Sequence, residues 1–401
     1  MKTYGTYFQN DPDHPLCYGE INLINPLRRR LRGEEEKEGI EALPVFCGFC
    51  GTDFELMHMG RDGRLGAKFP AGEQRLINGH EGVVWIPSEK RFAVVLIRGG
   101  DSYDPTRYTE DETYFEYGCD QADGIFCDRG YFHPDMLLKL PEQYADCTKL
   151  PLSAAKRLSF ADPYACAVFQ LERMEDLGSA HNFRVEMAKH GCSEEEGRRL
   201  AKKNIFERTV VFGLGMTGLF MADQIRRSYP DAKILFVGRS AESSRKVVFS
   251  KEIAAADYLC TDGMSEPETA AAITEVIGGR ATLFIGCSGS AVEHRIAFEH
   301  RVLGCNGIYN SFSLGPVVGF DTMPFGFENH LIFASINFRQ AHMEKAIEIL
   351  AESRYDEIVE LIEKEEFIRD PMDAYENRIY CKGAPLKTGV IWNKDYIEEA
   401  L

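Results

Sequence analysis

The sequence predicts a two-part α/β protein: a mostly β region over residues 1–165, then a doubly wound parallel sheet. Three observations carry that expectation. Short apolar, β-branched runs such as "GVVWI" (82–86) and "RFAVVLI" (91–97), separated by glycine and proline, read as buried strands in a turn-rich region. At residue 209 the texture changes to strand, glycine turn, helix and strand in "TVVFGLGMTGLFMADQIRRSYPDAKILFVGRS". Strand and helix units continue in "SSRKVVFSKEIAAADYLC", "ATLFIGCSGS" and "LGCNGIYNSF", and such alternation implies parallel strands with right-handed crossovers.

Taken in chain order, "NPLRRRLRGEEEKEG" (25–39) sets a basic cluster against an acidic one and reads as a solvated loop. An irregular stretch precedes "SEEEGRRLAKKNIFERT" (193–209), where Ser193 and Glu196 have capping-box spacing and predict a helix start. "HMEKAIEILAESRYDEIVELIEKEE" (342–366) is strongly helical in pattern. "TGVIWN" (388–393) reads as a late strand returning to the first region, and "LGCNGIYNSFSLGP" (303–316) as an edge strand.

Bulk properties narrow the function. The chain has 401 residues, 44% hydrophobic and 27% charged, which suits a soluble protein with two cores. A net charge of −17 without a basic patch argues against nucleic acid as a partner. The most apolar stretch, 209–222, is too short and too glycine-broken to span a bilayer, and "MKTYGTYFQNDPDHP" lacks the apolar core of a secretory signal. Twelve scattered cysteines then read as reduced thiols of a cytoplasmic protein.

In "VVFGLGMTG", Gly213, Gly215 and Gly218 fit G-x-G-x-x-G after an apolar strand and before an amphipathic helix. The first glycine makes the turn, the second lets backbone approach a pyrophosphate, and the third lets helix and strand pack closely. Leu214, Met216 and Thr217 fill the turn and open the helix, whose amides and dipole face the phosphates. At the end of the next strand, "FVGRSAESSR" places Gly238 where an NAD site needs a carboxylate. Arg239 and Ser240 follow, a forked donor and a hydroxyl suited to a 2′-phosphate, so NADP is preferred over NAD.

Three separated pieces of the first region carry metal-binding residues: "GFCGTD" (48–53), "INGHEG" (77–82) and "FADPYA" (160–165). Cys50, His80, Glu81 and Asp162 are zinc donors, and their distance along the chain excludes a finger or ribbon. "CGFC" lies in the β-rich region away from any thioredoxin-like unit, so a redox reading is disfavoured and Cys47 reads as structural. These pieces, in this order with the glycine turn, resemble the zinc-containing medium-chain dehydrogenase/reductase family, the alcohol dehydrogenase superfamily. Matches run from about residue 45 to the C-terminus.

The resemblance implies a GroES-like catalytic domain, 1–165 and 345–401, with a Rossmann domain, 166–344, inserted. It implies one catalytic zinc on Cys50 and His80, with Glu81 and Asp162 beside them, and Cys166 as a softer alternative. Thr52 falls where the family places its proton-relay hydroxyl, Asp53 where a carboxylate orders the metal shell, and Asn337 in "SIN" near the nicotinamide. The stretch 98–118 has no cysteine, so the structural zinc of many relatives is not expected. "CDQADGIFCDRGYF" (119–132) resembles a segment of glucose dehydrogenases, with Asp120 and Asp123 as acidic groups for sugar hydroxyls. The implied reaction is oxidation of glucose or galactose at C1 to the lactone. A polyol or amino-alcohol dehydrogenase, or a non-catalytic NADPH-binding protein, is the alternative; relatives form dimers or tetramers.

Overall fold

The structure is a computed structural model describing residues 1–11, 13–23, 28–30, 36–62, 66–70, 72–98, 115–313, 322–335, 338–381 and 383–398. Two compact units emerge: Met1–Ala165 with Phe338–Leu401, and Cys166–Asn337.

Among the described residues, the main sheet of the first unit runs in the order Leu137–Lys139, Arg91–Val95, Glu81–Ile86, Ile40–Gly48, Lys387–Ile391, Val359–Leu361. Gly130–Phe132 adds to Ile40–Gly48 off that path. The two β-branched runs of the sequence form an antiparallel pair with Val83 opposite Val94 and Trp85 opposite Phe92. Every residue of Glu81–Ile86 is buried, which explains a run without polar alternation. Pro44 lacks an amide for the ladder, and the pairing of Ile40–Gly48 with Glu81–Ile86 shifts register between Pro44 and Phe46. The late strand Lys387–Ile391 returns to this sheet, with Val390 opposite Cys47. A smaller antiparallel sheet, Leu16–Asn22, Lys2–Gln9 and Arg75–Ile77, leads directly into Asn78.

The second unit has a parallel sheet ordered Asp257–Cys260, Lys233–Gly238, Arg208–Phe212, Ala281–Gly286, Leu303–Ser311, Leu331–Phe333. Numbered along the unit this is 3-2-1-4-5-6, the doubly wound order, whose switch point lies between Arg208–Phe212 and Ala281–Gly286. Valines, isoleucines and phenylalanines fill these strands because both faces are covered.

Several expectations need correction. The stretch before Ser193 is a helix, Ala161–His190. Its apolar residues are dense only toward the start, and the later turns lie largely at the surface, which hides the period. Pro163 is tolerated there because it sits in the first turn. Ser193 does cap Glu194–Asn204, but the Glu196 carboxylate binds Arg199 rather than closing a capping box; Ser265 and Glu268 form a complete one. Within 342–366 α-helix covers Gln340–Ala351 and, later, Lys364–Arg369, with a short 3-10 turn at Tyr355–Ile358. Between them Val359–Leu361 is a strand beside Lys387–Ile391, where cross-strand pairing overrides helix propensity. Leu303–Ser311 is interior; Leu331–Phe333 lies outside it. In the charged 25–39 segment, Arg28–Arg30 pairs with Glu36–Glu38.

Candidate active site

Cys50 follows the buried end of Ile40–Gly48 and directly precedes the helix Gly51–Asp62. Its amide donates to Oδ2 of Asp53 at 3.3 Å, and the Asp53 amide donates back to the Cys50 carbonyl at 3.2 Å. An aspartate in the first helical turn thereby fixes the thiol-bearing residue.

His80 is placed by a glycine and a second strand of backbone. Gly79 has φ +84°, and a Cβ there would lie 1.9 Å from the Phe126 ring, so no other residue fits without moving it. Gly124, Ile125 and Phe126 donate their amides to the carbonyls of Ile77, Gly79 and Asn78. Asn78 is fully buried and accepts from the Thr6 hydroxyl at 2.6 Å. Glu81 then opens the strand Glu81–Ile86.

These elements bring Cys50, His80 and Glu81 together, with one donor atom from each mutually within 4.8 Å. Around them, the His80 Nδ1 lies 3.8 Å from Oδ1 of the fully buried Asp53 and 3.6 Å from the Cys119 sulfur. Tyr375 donates its hydroxyl to Oδ2 of Asp53 at 3.3 Å. Thr52 hydrogen-bonds the Cys50 sulfur. Glu81 forms a buried ion pair with Lys387.

Desolvation, reinforced by Glu81 and Asp53 and opposed by Lys387, pushes the Cys50 thiol well above its usual range. Desolvation also raises the Asp53 carboxyl, against the pull of His80. A thiol and two carboxylates around one lysine are mutually repulsive once deprotonated. A divalent cation on sulfur, imidazole and carboxylate relieves that repulsion, so this donor set fits zinc.

Asp162 stands in the first turn of Ala161–His190, outside the mutual 4.8 Å set. It is buried, its Oδ1 has no hydrogen-bond partner, and desolvation pushes its carboxyl up to about 6, with His80 and Arg98 pulling the other way. Cys166 is likewise outside the set. Asp123 is fully buried and accepts the Ile77 amide at 3.1 Å, an anchoring role; Asp120 pairs with Lys68 at 2.8 Å. Asn337 and residues 99–114, most of the cysteine-free stretch, lie outside the described residues.

Sequence reading missed Cys119, Tyr375 and Lys387. Only Lys387 leaves a trace, a cation at the head of an otherwise apolar strand.

In the second unit, the glycine turn joins Arg208–Phe212 to the helix Met216–Ser228 at the switch point. Gly213 has φ +113°, and a Cβ on it would lie 2.8 Å from the Cys287 carbonyl carbon and the Ser288 nitrogen. A Cβ on Gly218 would lie 2.4 Å from the Gly213 oxygen, whereas one on Gly215 meets nothing within 4 Å. Two glycines thus serve packing, and the third leaves an open face where a phosphate needs close approach. No side chain caps Met216–Ser228 and its first turn carries no acid, so its amide donors remain for an anion. Arg239 is exposed beyond the next strand, and Ser240 is half-buried.

This architecture, a GroES-like mostly β unit and a Rossmann unit, is a fold shared with solved glucose, alcohol and butanediol dehydrogenases. Among solved structures, the chain is similar to a Haloferax mediterranei glucose dehydrogenase in complex with NADP, Zn and gluconolactone. The TM-score is 0.65 at 16% identity, over 97% of this chain and 99% of that one. It is also similar to an alcohol dehydrogenase of Thermotoga maritima, at TM-score 0.67 and 17% identity over 98% and 99% of the two chains. A third is the 2R,3R-butanediol dehydrogenase of Bacillus subtilis, at TM-score 0.67 and 16% identity over 98% and 100%. No family model and no curated protein sequence matches the chain.

Proposed function

We propose that the protein is a zinc-dependent, NADP-preferring dehydrogenase that oxidises an aldose such as glucose or galactose at C1. An aldose and NADP⁺ give the lactone, NADPH and a proton. The observation that carries this reading is the convergence of Cys50, His80 and Glu81 within 4.8 Å in a buried, carboxylate-rich setting.

Cys50 and His80 are the principal ligands, with Glu81 and Asp162 the carboxylates at hand. A bound zinc supplies Lewis-acid polarisation of the substrate oxygen. Thr52 takes the hydroxyl proton from the substrate side of Cys50. Asp53 orders the shell by anchoring the Cys50 amide and places its carboxylate 3.8 Å from the His80 Nδ1, an electrostatic contact rather than a hydrogen bond. Gly213, Leu214, Gly215, Met216, Thr217 and Gly218 cradle the pyrophosphate, Arg239 and Ser240 receive the 2′-phosphate, and Asn337 contacts the nicotinamide. The protein works in the cytoplasm as a homodimer or homotetramer.

The aldose assignment is supported by the 119–132 segment and by the gluconolactone complex of the Haloferax mediterranei protein. With Asp123 anchoring Ile77, Asp120 is the stronger acidic candidate for a sugar hydroxyl, since its Oδ1 has no hydrogen-bond partner. The similarity to a butanediol dehydrogenase favours a small diol or polyol as the second reading. A panel of aldoses and polyols, each with NADP and NAD, tests both through absorbance of the reduced cofactor. Turnover of glucose or galactose with NADP is expected. Turnover of polyols alone moves the assignment to the second reading, and no turnover with any alcohol by zinc-loaded protein leaves a silent NADPH binder.

A further inference from the structure

We propose that Tyr258 sets the cofactor's phosphate preference. It holds the turn at 238–240 in the form that receives a 2′-phosphate and occupies the space a ribose-binding carboxylate would need. This rests on the NADP reading above and deepens it.

Lys233–Gly238 pairs in parallel with Asp257–Cys260, with Phe236 opposite Tyr258 and Gly238 opposite Cys260. Tyr258 is buried, and its hydroxyl donates to the Ser240 carbonyl at 2.6 Å. Three residues on, Thr261 donates its amide to the Gly238 carbonyl at 2.8 Å and its hydroxyl to the same oxygen at 3.2 Å. The neighbouring strand therefore clamps both ends of the three-residue turn that presents Arg239. Arg239 is exposed and, among the described residues, has no ion-pair partner, so its guanidinium is available to an anion.

Position 238 is also sterically constrained. A Cβ added to Gly238 would sit 3.5 Å from the Cβ of Leu214 and 3.3 Å from the Tyr258 hydroxyl oxygen. Leu214 belongs to the glycine turn, so position 238 faces the cofactor side, where an NAD site places its carboxylate. Here that direction is taken by a tyrosine hydroxyl. A carboxylate at 238 would have to displace the hydroxyl from Ser240 and thereby release the turn. Glycine at 238 and tyrosine at 258 act as one device: the first makes room, and the second fills it and holds the phosphate-binding turn.

Titration calorimetry with two cofactor fragments, 2′,5′-ADP and 5′-AMP, separates the inference from the reading beneath it. Wild-type protein is expected to bind 2′,5′-ADP more tightly. Tyr258→Phe keeps the ring and removes the hydroxyl that binds Ser240 and also meets the Cys260 side chain. It should lower the affinity ratio about fivefold, the size of one net hydrogen bond, with an unchanged melting temperature. Gly238→Asp should lose 2′,5′-ADP binding without gaining 5′-AMP. Adding Tyr258→Val should recover 5′-AMP binding at least about fivefold over Gly238→Asp alone. A wild type that does not discriminate overturns the NADP reading and this inference with it. Discrimination that survives Tyr258→Phe unchanged, or Gly238→Asp that binds 5′-AMP well without the second substitution, overturns the inference alone.

Discussion

Gly213, Gly215 and Gly218 shape the glycine turn within six consecutive residues, whereas Glu81 of the proposed metal cluster meets Lys387 from 306 positions away. The turn works through backbone: a positive φ, a close approach and uncapped amides. The cluster works through side chains and is costly to assemble, since Cys50, Asp53 and Glu81 are brought together with one lysine. A site of the first kind tolerates its ligand's absence. One of the second kind holds its donors under electrostatic tension until a cation arrives.

The largest expected effect tests the cluster. Cys50→Ala should lower kcat/KM by about a thousandfold or more, the several kcal/mol a Lewis-acid metal contributes, while leaving 2′,5′-ADP binding intact. Steady-state kinetics beside calorimetry checks that split. Equal loss at both sites would erase the contrast.

Thr52→Val should reduce kcat by about a hundredfold to ten-thousandfold with little change in KM, and Thr52→Ser should recover most of it. A valine variant with normal kcat would remove Thr52 from the proton path.

Lys387→Met strands Glu81 as a buried, unpaired charge, at a cost of about 3–5 kcal/mol in the chelator-treated protein. Adding Glu81→Gln should restore much of that loss. Urea denaturation of the single and double variants measures it, and additive losses would mean the pair carries no special strain.

The smallest effects separate two glycines of one turn. Gly213→Ala should cost about 1–3 kcal/mol of stability, because φ +113° and a 2.8 Å approach leave no room. Gly215→Ala should fold normally, since its Cβ meets nothing within 4 Å, yet bind NADPH more weakly. Thermal melts beside fluorescence titration would show it. If both variants lose stability alike, the open face at Gly215 is not a ligand surface.

These contrasts explain what was legible in the sequence. The glycine turn and its strands are contiguous, so spacing alone placed them. Cys50, His80 and Glu81 were found as motif fragments, but nothing local indicated that Asn78, Gly79 and the 124–126 backbone position the imidazole. Cys119 and Tyr375 were invisible, and Lys387 showed only as a cation at the head of an apolar strand, because their meaning comes only from partners brought near by the fold. The strand Val359–Leu361 was misread as helix because pairing with Lys387–Ile391, a tertiary contact, decides its conformation.

Metal content of the purified protein reads the proposed Cys50–His80–Glu81 site itself. About one zinc per chain is expected, removed by chelator and absent when Cys50 and His80 are both replaced by alanine. Zinc absent from wild-type protein even after incubation with the metal, or retained without those two side chains, would contradict that site.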